Sequence, residues 1–280
     1  PKGQFGTRLM GGKDSASERY IFTQLNSITR LIYPELDDAV LDYLHDDGDQ
    51  VEPVYYVPII PMVLVNGTKG IGTGFSTDVM CYNPVDIINY IELMLSGKTK
   101  NEIDYKINPY YRGFKGEIYN TDSTFKKYVV KGCYKLSNAK DKITITELPI
   151  GTWTQDYKEF LETLINTKKT TASDKKSTTA NKKSENVVKD FKDMSTESNV
   201  EFEIQFYPGV LETLINQKHD YGINGIEKYL KLYTTQSTTN MHLFNAKEQL
   251  RKYEDVYEII DDYYSIRYGY YNKRREYLID

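Results

Sequence analysis

The sequence has little of what several kinds of chemistry require. Among its 280 residues there are two cysteines, Cys81 and Cys133, far apart and without metal-ligand spacing. They read as free thiols in a reducing compartment. The three histidines, His45, His219 and His242, are scattered, and no complete Gly-x-x-x-x-Gly-Lys-Ser/Thr phosphate loop occurs. Both gaps argue against a histidine-triad or P-loop phosphotransfer enzyme. The net charge is −4, so the basic excess that often marks nucleic-acid binding is missing. That total does not exclude a basic groove, because an acidic far side can hide one. No apolar run reaches the ~18 residues needed for a membrane-spanning helix, and no signal peptide is recognisable. The first residue is Pro rather than Met, so the chain is expected to be a piece of a longer polypeptide.

What is present concentrates first in residues 3–22, GQFGTRLMGGKDSASERYIF. This stretch combines glycine-containing turns with three cationic side chains, Arg8, Lys13 and Arg19, and places Arg19 directly before Tyr20. A tyrosine phenol is a weak nucleophile at neutral pH, since its ordinary pKa is about 10, unless a base or nearby cations assist it. Arg19 cannot lose its charge, so it suits both a forming phenolate and the charge that builds on an attacked phosphodiester. With 26 tyrosines in the chain, an Arg-Tyr pair alone is an ordinary occurrence, and a core or surface aromatic is the bland reading.

Further along, ERYIFTQLNSITRLIY (18–33) carries apolar residues at helical spacing and predicts a helix after the N-cap candidates Ser15 and Ser17. Residues 35–50 are acidic. Asp46, Asp47 and Asp49 lack the calcium-loop pattern and read as a solvated turn around Gly48. The Pro-broken run 51–65 predicts extended, edge-like segments. Asn66–Gly74, NGTKGIGTG, lets backbone approach another molecule closely, and Ile71 is its one large apolar side chain. On the residues alone, a buried Ile in a tight turn is the favoured reading. An apolar side chain held out on such a loop can also wedge between base steps.

Residues 84–95 predict an amphipathic helix with Pro84 near its start and Gly97 as a stop. Strands are expected in 109–149, a helix from about Thr154, a strand over 199–207 and short helices after it. Residues 167–193 are Lys-, Thr- and Ser-rich, and at least 167–186 is expected to be a flexible loop. The span 245–280 predicts one helix with a heptad-like seam of Leu250, Tyr253, Tyr257, Ile260, Tyr264, Tyr271 and Leu278, interrupted by Arg267 and Arg274.

Several separated motifs occur together: GGKDSAS…RYIF, VEPVYYVPIIPMVLVNGTKGIGTGFS (51–76), PYYRGFKGEI (109–118), ITELPIGTWTQDYKE (145–159) and TTNMHLF (238–244). In their order they resemble the breakage-reunion core of type IIA DNA topoisomerases of the eukaryotic type. Glu18 departs from the pattern, since animal members usually carry Pro there, and it sets a negative charge beside Tyr20. The resemblance implies an α+β chain. Its parts would be the end of a winged-helix domain (1–62), a mixed α/β tower domain (63–235) and the start of a coiled-coil arm (236–280). It implies Tyr20 as nucleophile and Arg19 as its cationic partner, with Gln4, Arg8, Lys13, Ser15, Ile71 and Thr73 meeting double-stranded DNA. Trp153 and Thr154 would position a backbone phosphate, although Trp153 reads equally as plain core. Mg²⁺ and ATP would be bound by upstream domains, with no metal site in these residues. The enzyme would be a homodimer, with no membrane association, in the nucleus or a viral replication compartment. A DNA-binding and dimerisation module without catalysis is the competing reading.

Overall fold

The structure, a computed structural model, describes residues 1–121, 124, 126–139, 141–166 and 187–280. The low-complexity stretch 167–186 lies outside the described residues. The chain is mixed α and β and divides into two compact units that interleave in sequence. One comprises residues 1–24, 113–123 and 127–236; the other comprises 25–112, 124–126 and 237–280.

The first unit is built on antiparallel strand pairs. Strands β5 (Glu117–Asn120) and β6 (Lys127–Lys131) pair, and β11 (Tyr233–Ser237) flanks β6. A four-stranded sheet has the order β7 (Cys133–Leu136), β8 (Lys142–Glu147), β10 (Phe202–Phe206), β9 (Val188–Asp193). Along β8 and β10 every second side chain is buried: Ile143, Ile145 and Glu147 on one, Phe202, Ile204 and Phe206 on the other. Helices α4 (Thr154–Asn166), α5 (Val210–Asn216) and α6 (Gly225–Tyr229) cover this face with Tyr157, Leu161, Leu211, Leu214 and Ile226. Burying such side chains contributes about 1.5–3 kcal/mol each. A capping box between Asn224 and Glu227 starts α6, and Lys131 pairs with the buried Glu227 at 2.7 Å.

The second unit contains three hairpins. They pair β1 (Tyr43–Asp46) with β2 (Asp49–Pro53), β3 (Thr68–Ile71) with β4 (Ser76–Val79), and β12 (Met241–Phe244) with β13 (Leu250–Tyr253). Helix α3 (Pro84–Leu95) spans the predicted residues: the Asn83 side chain accepts the Val85 N–H at 3.0 Å, and Gly97 turns the chain away at φ +89°. Two short helices, α1 (Thr29–Ile32) and α2 (Met62–Asn66), complete the middle of the unit. Helix α7 (Val256–Ile279) opens with Asp255 accepting the Glu258 N–H at 2.9 Å.

Four expectations are corrected. The helix predicted from residue 18 is reduced to a 3-10 turn, Glu18–Tyr20, followed by extended chain and the single turn of α1. Phe22 is drawn into backbone pairing with Lys2, and the Asn26 side chain accepts the Ile28 N–H, so local hydrogen bonds compete with the helix. The run 51–65 is not extended throughout, because Met62–Asn66 close a helical turn directly after Pro61. The end of the low-complexity run is strand β9, held by pairing with β10 and by buried Val188. The helix predicted over 245–280 begins only at Val256, since Leu250 and Tyr253 lie in strand β13. Its buried face is Val256, Ile259, Ile260, Arg267 and Tyr270, which shares only Ile260 with the predicted seam. Arg267 is buried because Asp37 accepts from it at 2.6 Å and the Val57 carbonyl at 3.1 Å. Arg274 reaches the other oxygen of Asp37 at 3.0 Å.

Candidate active site

Tyr20 closes the 3-10 turn and is 65% exposed. Its N–H donates to Ser17 O at 2.9 Å. Reciprocal hydrogen bonds between Lys2 and Phe22, at 2.7 and 2.9 Å, fix the chain just beyond it. Gly3 lets this pairing form. At φ +101° it has a conformation that L side chains rarely adopt, and a Cβ there would meet the Tyr20 carbonyl at 2.7 Å. The Arg19 guanidinium lies 5.6 Å from the centroid of the Tyr20 ring, and both residues face solvent. The exposed Glu18 is their neighbour in the same turn.

The preceding loop is held from within and from the side. Thr7 donates its N–H (2.9 Å) and hydroxyl (2.6 Å) to Asp14, and these bonds, the hydroxyl's foremost, keep the Asp14 carboxyl below its ordinary pKa. Gly12 N–H donates to Thr7 O at 3.1 Å, and Ala16 N–H to Gln4 O at 2.9 Å. Gly11 sits on the Trp153 indole, where a Cβ would overlap the ring. Gln155 N–H donates to Leu9 O at 2.9 Å. Arg8 donates through Nη2 to Oε1 of Glu147, whose side chain is 1% exposed. Lys13 lies 3.8 Å from Asp156 with both side chains open to water, a weak pair. Gln4, Lys13 and Ser15 are exposed and Arg8 is partly so, which leaves a cation-bearing, glycine-rich loop beside Tyr20. Trp153 itself stays 36% exposed, whereas Thr154 is buried.

In the second unit Ile71 ends β3 at the tip of its hairpin and is 94% exposed, which overturns the reading of a buried turn residue. Gly72 N–H donates to Phe75 O at 2.8 Å to close the tip, and Thr73 is exposed beside it. Around Gly70 and Gly74 there is open space where a Cβ would stand. The hairpin is braced by 238–244: Asp78 N–H donates to Asn240 O at 2.8 Å and Asn240 Nδ2 to Ser76 Oγ at 2.9 Å. An isoleucine so exposed on a braced hairpin contributes little to folding and is free to meet another molecule.

Among the described residues, no three His, Cys, Asp or Glu side chains converge as metal ligands. These described residues therefore do not fit a Mg²⁺ site. Asp46 and Asp49 face each other across the β1–β2 turn as neighbouring strand residues. Among the described residues no helix is long and apolar enough to cross a membrane. Sequence reasoning missed Glu147, Asp37 and the contact of Gly11 with Trp153. A lone Glu at the end of an alternating strand, on its buried face, was the one available signal for Glu147.

With this geometry in view, comparison with known proteins is specific. The sequence model of the DNA gyrase/topoisomerase IV A-subunit family matches residues 1–280, and the chain belongs to that family. It is 42% identical over 281 residues to DNA topoisomerase 2, mitochondrial, of Dictyostelium discoideum, covering 100% of this chain and 19% of that protein. It is 40% identical to DNA topoisomerase 2 of Arabidopsis thaliana, covering 100% of this chain and 17% of that protein. The fold superposes with TM-score 0.83 and 38% identity on the crystal structure of the Plasmodium falciparum topoisomerase II DNA-binding, cleavage and re-ligation domain, covering 99% of this chain and 34% of that one. The chain thus spans under a fifth of the length of these two full-length relatives.

Proposed function

We propose that this chain is the tyrosine-bearing part of the breakage-reunion core of a type II DNA topoisomerase. The observation that carries the proposal is Tyr20, exposed beside Arg19 and following a loop that displays Arg8, Lys13 and Ser15. The Tyr20 phenol gives up its proton and its oxygen bonds to a backbone phosphorus. The 3′ sugar oxygen leaves and takes a proton, and the 5′ end stays on the tyrosine. One phosphodiester replaces another of similar energy, so resealing is the same step reversed and consumes no ATP. Arg19 stabilises the charge that builds on the phosphoryl oxygens. Gln4, Arg8, Lys13 and Ser15 bind neighbouring phosphates, which position DNA without reading its sequence. Ile71 wedges into the bent duplex, with Thr73 on the adjoining backbone.

In this reading residues 1–62 complete a winged-helix domain, 63–235 form the tower and 236–280 begin a coiled-coil arm. Tyr277, Leu278 and Ile279, exposed at the end of α7, belong to that arm. Two protomers cut opposite strands, and a second duplex passes through the gap. Mg²⁺ and ATP, held by other regions, would supply charge stabilisation to phosphoryl transfer and the energy for strand passage. The relatives include a mitochondrial enzyme, so a DNA-containing compartment fits; the nucleus, or a viral replication compartment, is the proposed one. Glu18 beside Tyr20 is the one feature that favours a non-catalytic DNA-binding and dimerisation module.

The test is relaxation of supercoiled plasmid by the intact polypeptide carrying these residues, with Mg²⁺ and ATP. Tyr20→Phe is expected to bind DNA as the parent does and to lose relaxation. Relaxation that survives Tyr20→Phe contradicts the assignment, and a parent that binds DNA but relaxes none supports the non-catalytic module.

A further inference from the structure

We infer that Glu147 is a positioning residue for cleavage, acting through Arg8; the inference rests on the topoisomerase reading above. Glu147 is buried at the end of strand β8 in the first unit. A carboxylate fully removed from water is retained as an ion only when its oxygens are matched by donors. Here three donors meet it. The Leu148 N–H reaches Oε1 at 3.0 Å, the Lys115 N–H reaches Oε2 at 3.2 Å, and Arg8 Nη2 donates to Oε1. Two of these donors are backbone groups of the scaffold, so the carboxylate is fixed whether or not Arg8 is present. Arg8, by contrast, is a long side chain with several rotatable bonds, and fixing its backbone does not by itself fix its guanidinium.

The pairing is lopsided in a way that suits a phosphate contact. The Arg8 side chain is 30% exposed, and only Nη2 is engaged among the described residues, which leaves Nε and Nη1 as unused donors there. A guanidinium anchored at one corner presents its remaining donors in one plane, and forked recognition of phosphate oxygens needs that geometry. The same loop is fastened by Gln155 N–H to Leu9 O and by the Gly11 contact with Trp153, so Arg8 is aimed from a clamped segment. Glu147 touches neither DNA nor Tyr20 in this scheme. It removes the rotamer freedom that Arg8 would otherwise have to lose when DNA binds, which is the kind of orientation that governs rate more than affinity.

The test uses the intact polypeptide and reads single-turnover covalent cleavage of end-labelled duplex, DNA affinity and thermal unfolding for Glu147→Gln, Arg8→Ala and the double variant. Glu147→Gln is expected to lower the cleavage rate about tenfold or more while affinity changes by no more than about threefold. In the Arg8→Ala background, Glu147→Gln is expected to add no further loss, because nothing is left to position. A purely structural role would slow both backgrounds alike, so additive losses overturn the proposal. So does a folded Glu147→Gln that cleaves at the parental rate. If Glu147→Gln fails to fold, Arg8→Lys decides: it keeps the charge but loses the fork, so a slowed rate at unchanged melting temperature upholds the proposal and a parental rate overturns it. A parent protein that forms no adduct at all overturns the topoisomerase reading and this inference with it. Adducts in the parent with no effect of Glu147 overturn this inference alone.

Discussion

Asp37→Ala is the perturbation whose cost follows most directly from the geometry. The Asp37 side chain is 4% exposed, and one carboxylate oxygen meets Arg267 at 2.6 Å while the other meets Arg274 at 3.0 Å. Arg267 is as buried as its partner, packs 4.0 Å over the Tyr271 ring and has one further acceptor, the Val57 carbonyl. Removing the carboxylate leaves a guanidinium charge inside the unit with no other ion-pair partner among the described residues, which costs about 3–5 kcal/mol. Arg274 is 22% exposed, so water compensates much of its loss, and Arg274→Ala costs about 1 kcal/mol or less. Because the chain has two compact units, a single unfolding midpoint is a poor reporter, and amide hydrogen exchange along Val256–Ile279 and Glu35–Val40 is the better assay. At about 1.4 kcal/mol per decade, Asp37→Ala should speed exchange there roughly a hundredfold to several thousandfold. The double change Asp37→Leu with Arg267→Met should recover most of that protection, since two apolar side chains bring no buried charge. An Asp37→Ala effect below about tenfold at α7 would refute the reasoning.

The other expectations are narrower. Ile71→Ala should alter stability by no more than about 0.5 kcal/mol, given its exposure, yet reduce DNA bending measured by fluorescence transfer between labelled duplex ends; unchanged bending removes Ile71 from the interface. Tyr90, 1% exposed, has its phenol pushed up to about 12, chiefly by burial and then by nearby Asp261. The fold favours the neutral phenol, so its contribution is intact below pH 10 and is lost as pH rises from about 10 through 12, at most about 1.4 kcal/mol per pH unit. Tyr90→Phe should flatten that part of the pH profile and cost little at pH 7, because the hydroxyl has no partner among the described residues; a steep loss at pH 7 would contradict this. Gly11→Ala should collide with the Trp153 indole and slow cleavage, whereas parental activity would show that the loop is not clamped there.

The parts of the fold legible in the sequence were those governed by local pattern. Helix α3 and the alternating strands β8 and β10 follow from spacing, capping and burial of every second residue. Predictions failed where distant pairing overrode that pattern. Phe22 abandons helix for Lys2, and Leu250–Tyr253 become a strand because Met241–Phe244 lie opposite them. Ile71 shows the limit from the other side: its glycine neighbours were visible, but its exposure depends on the brace from Asn240. The partners of Arg8 and Arg267 lie 139 and 230 residues away in the chain, and no local rule joins them.

The most direct measurement is covalent trapping with site mapping. The chain, supplied in trans with a metal-binding piece of the same core and Mg²⁺, is mixed with end-labelled nicked duplex, quenched in detergent and digested for mass spectrometry. The account predicts labelled protein, with the nucleotide on Tyr20. It also predicts no efficient cleavage by the chain alone, since metal assistance contributes several kcal/mol to phosphoryl transfer. Tight, salt-dependent binding without an adduct, or an adduct on another residue, would contradict the claim that Tyr20 breaks the DNA strand.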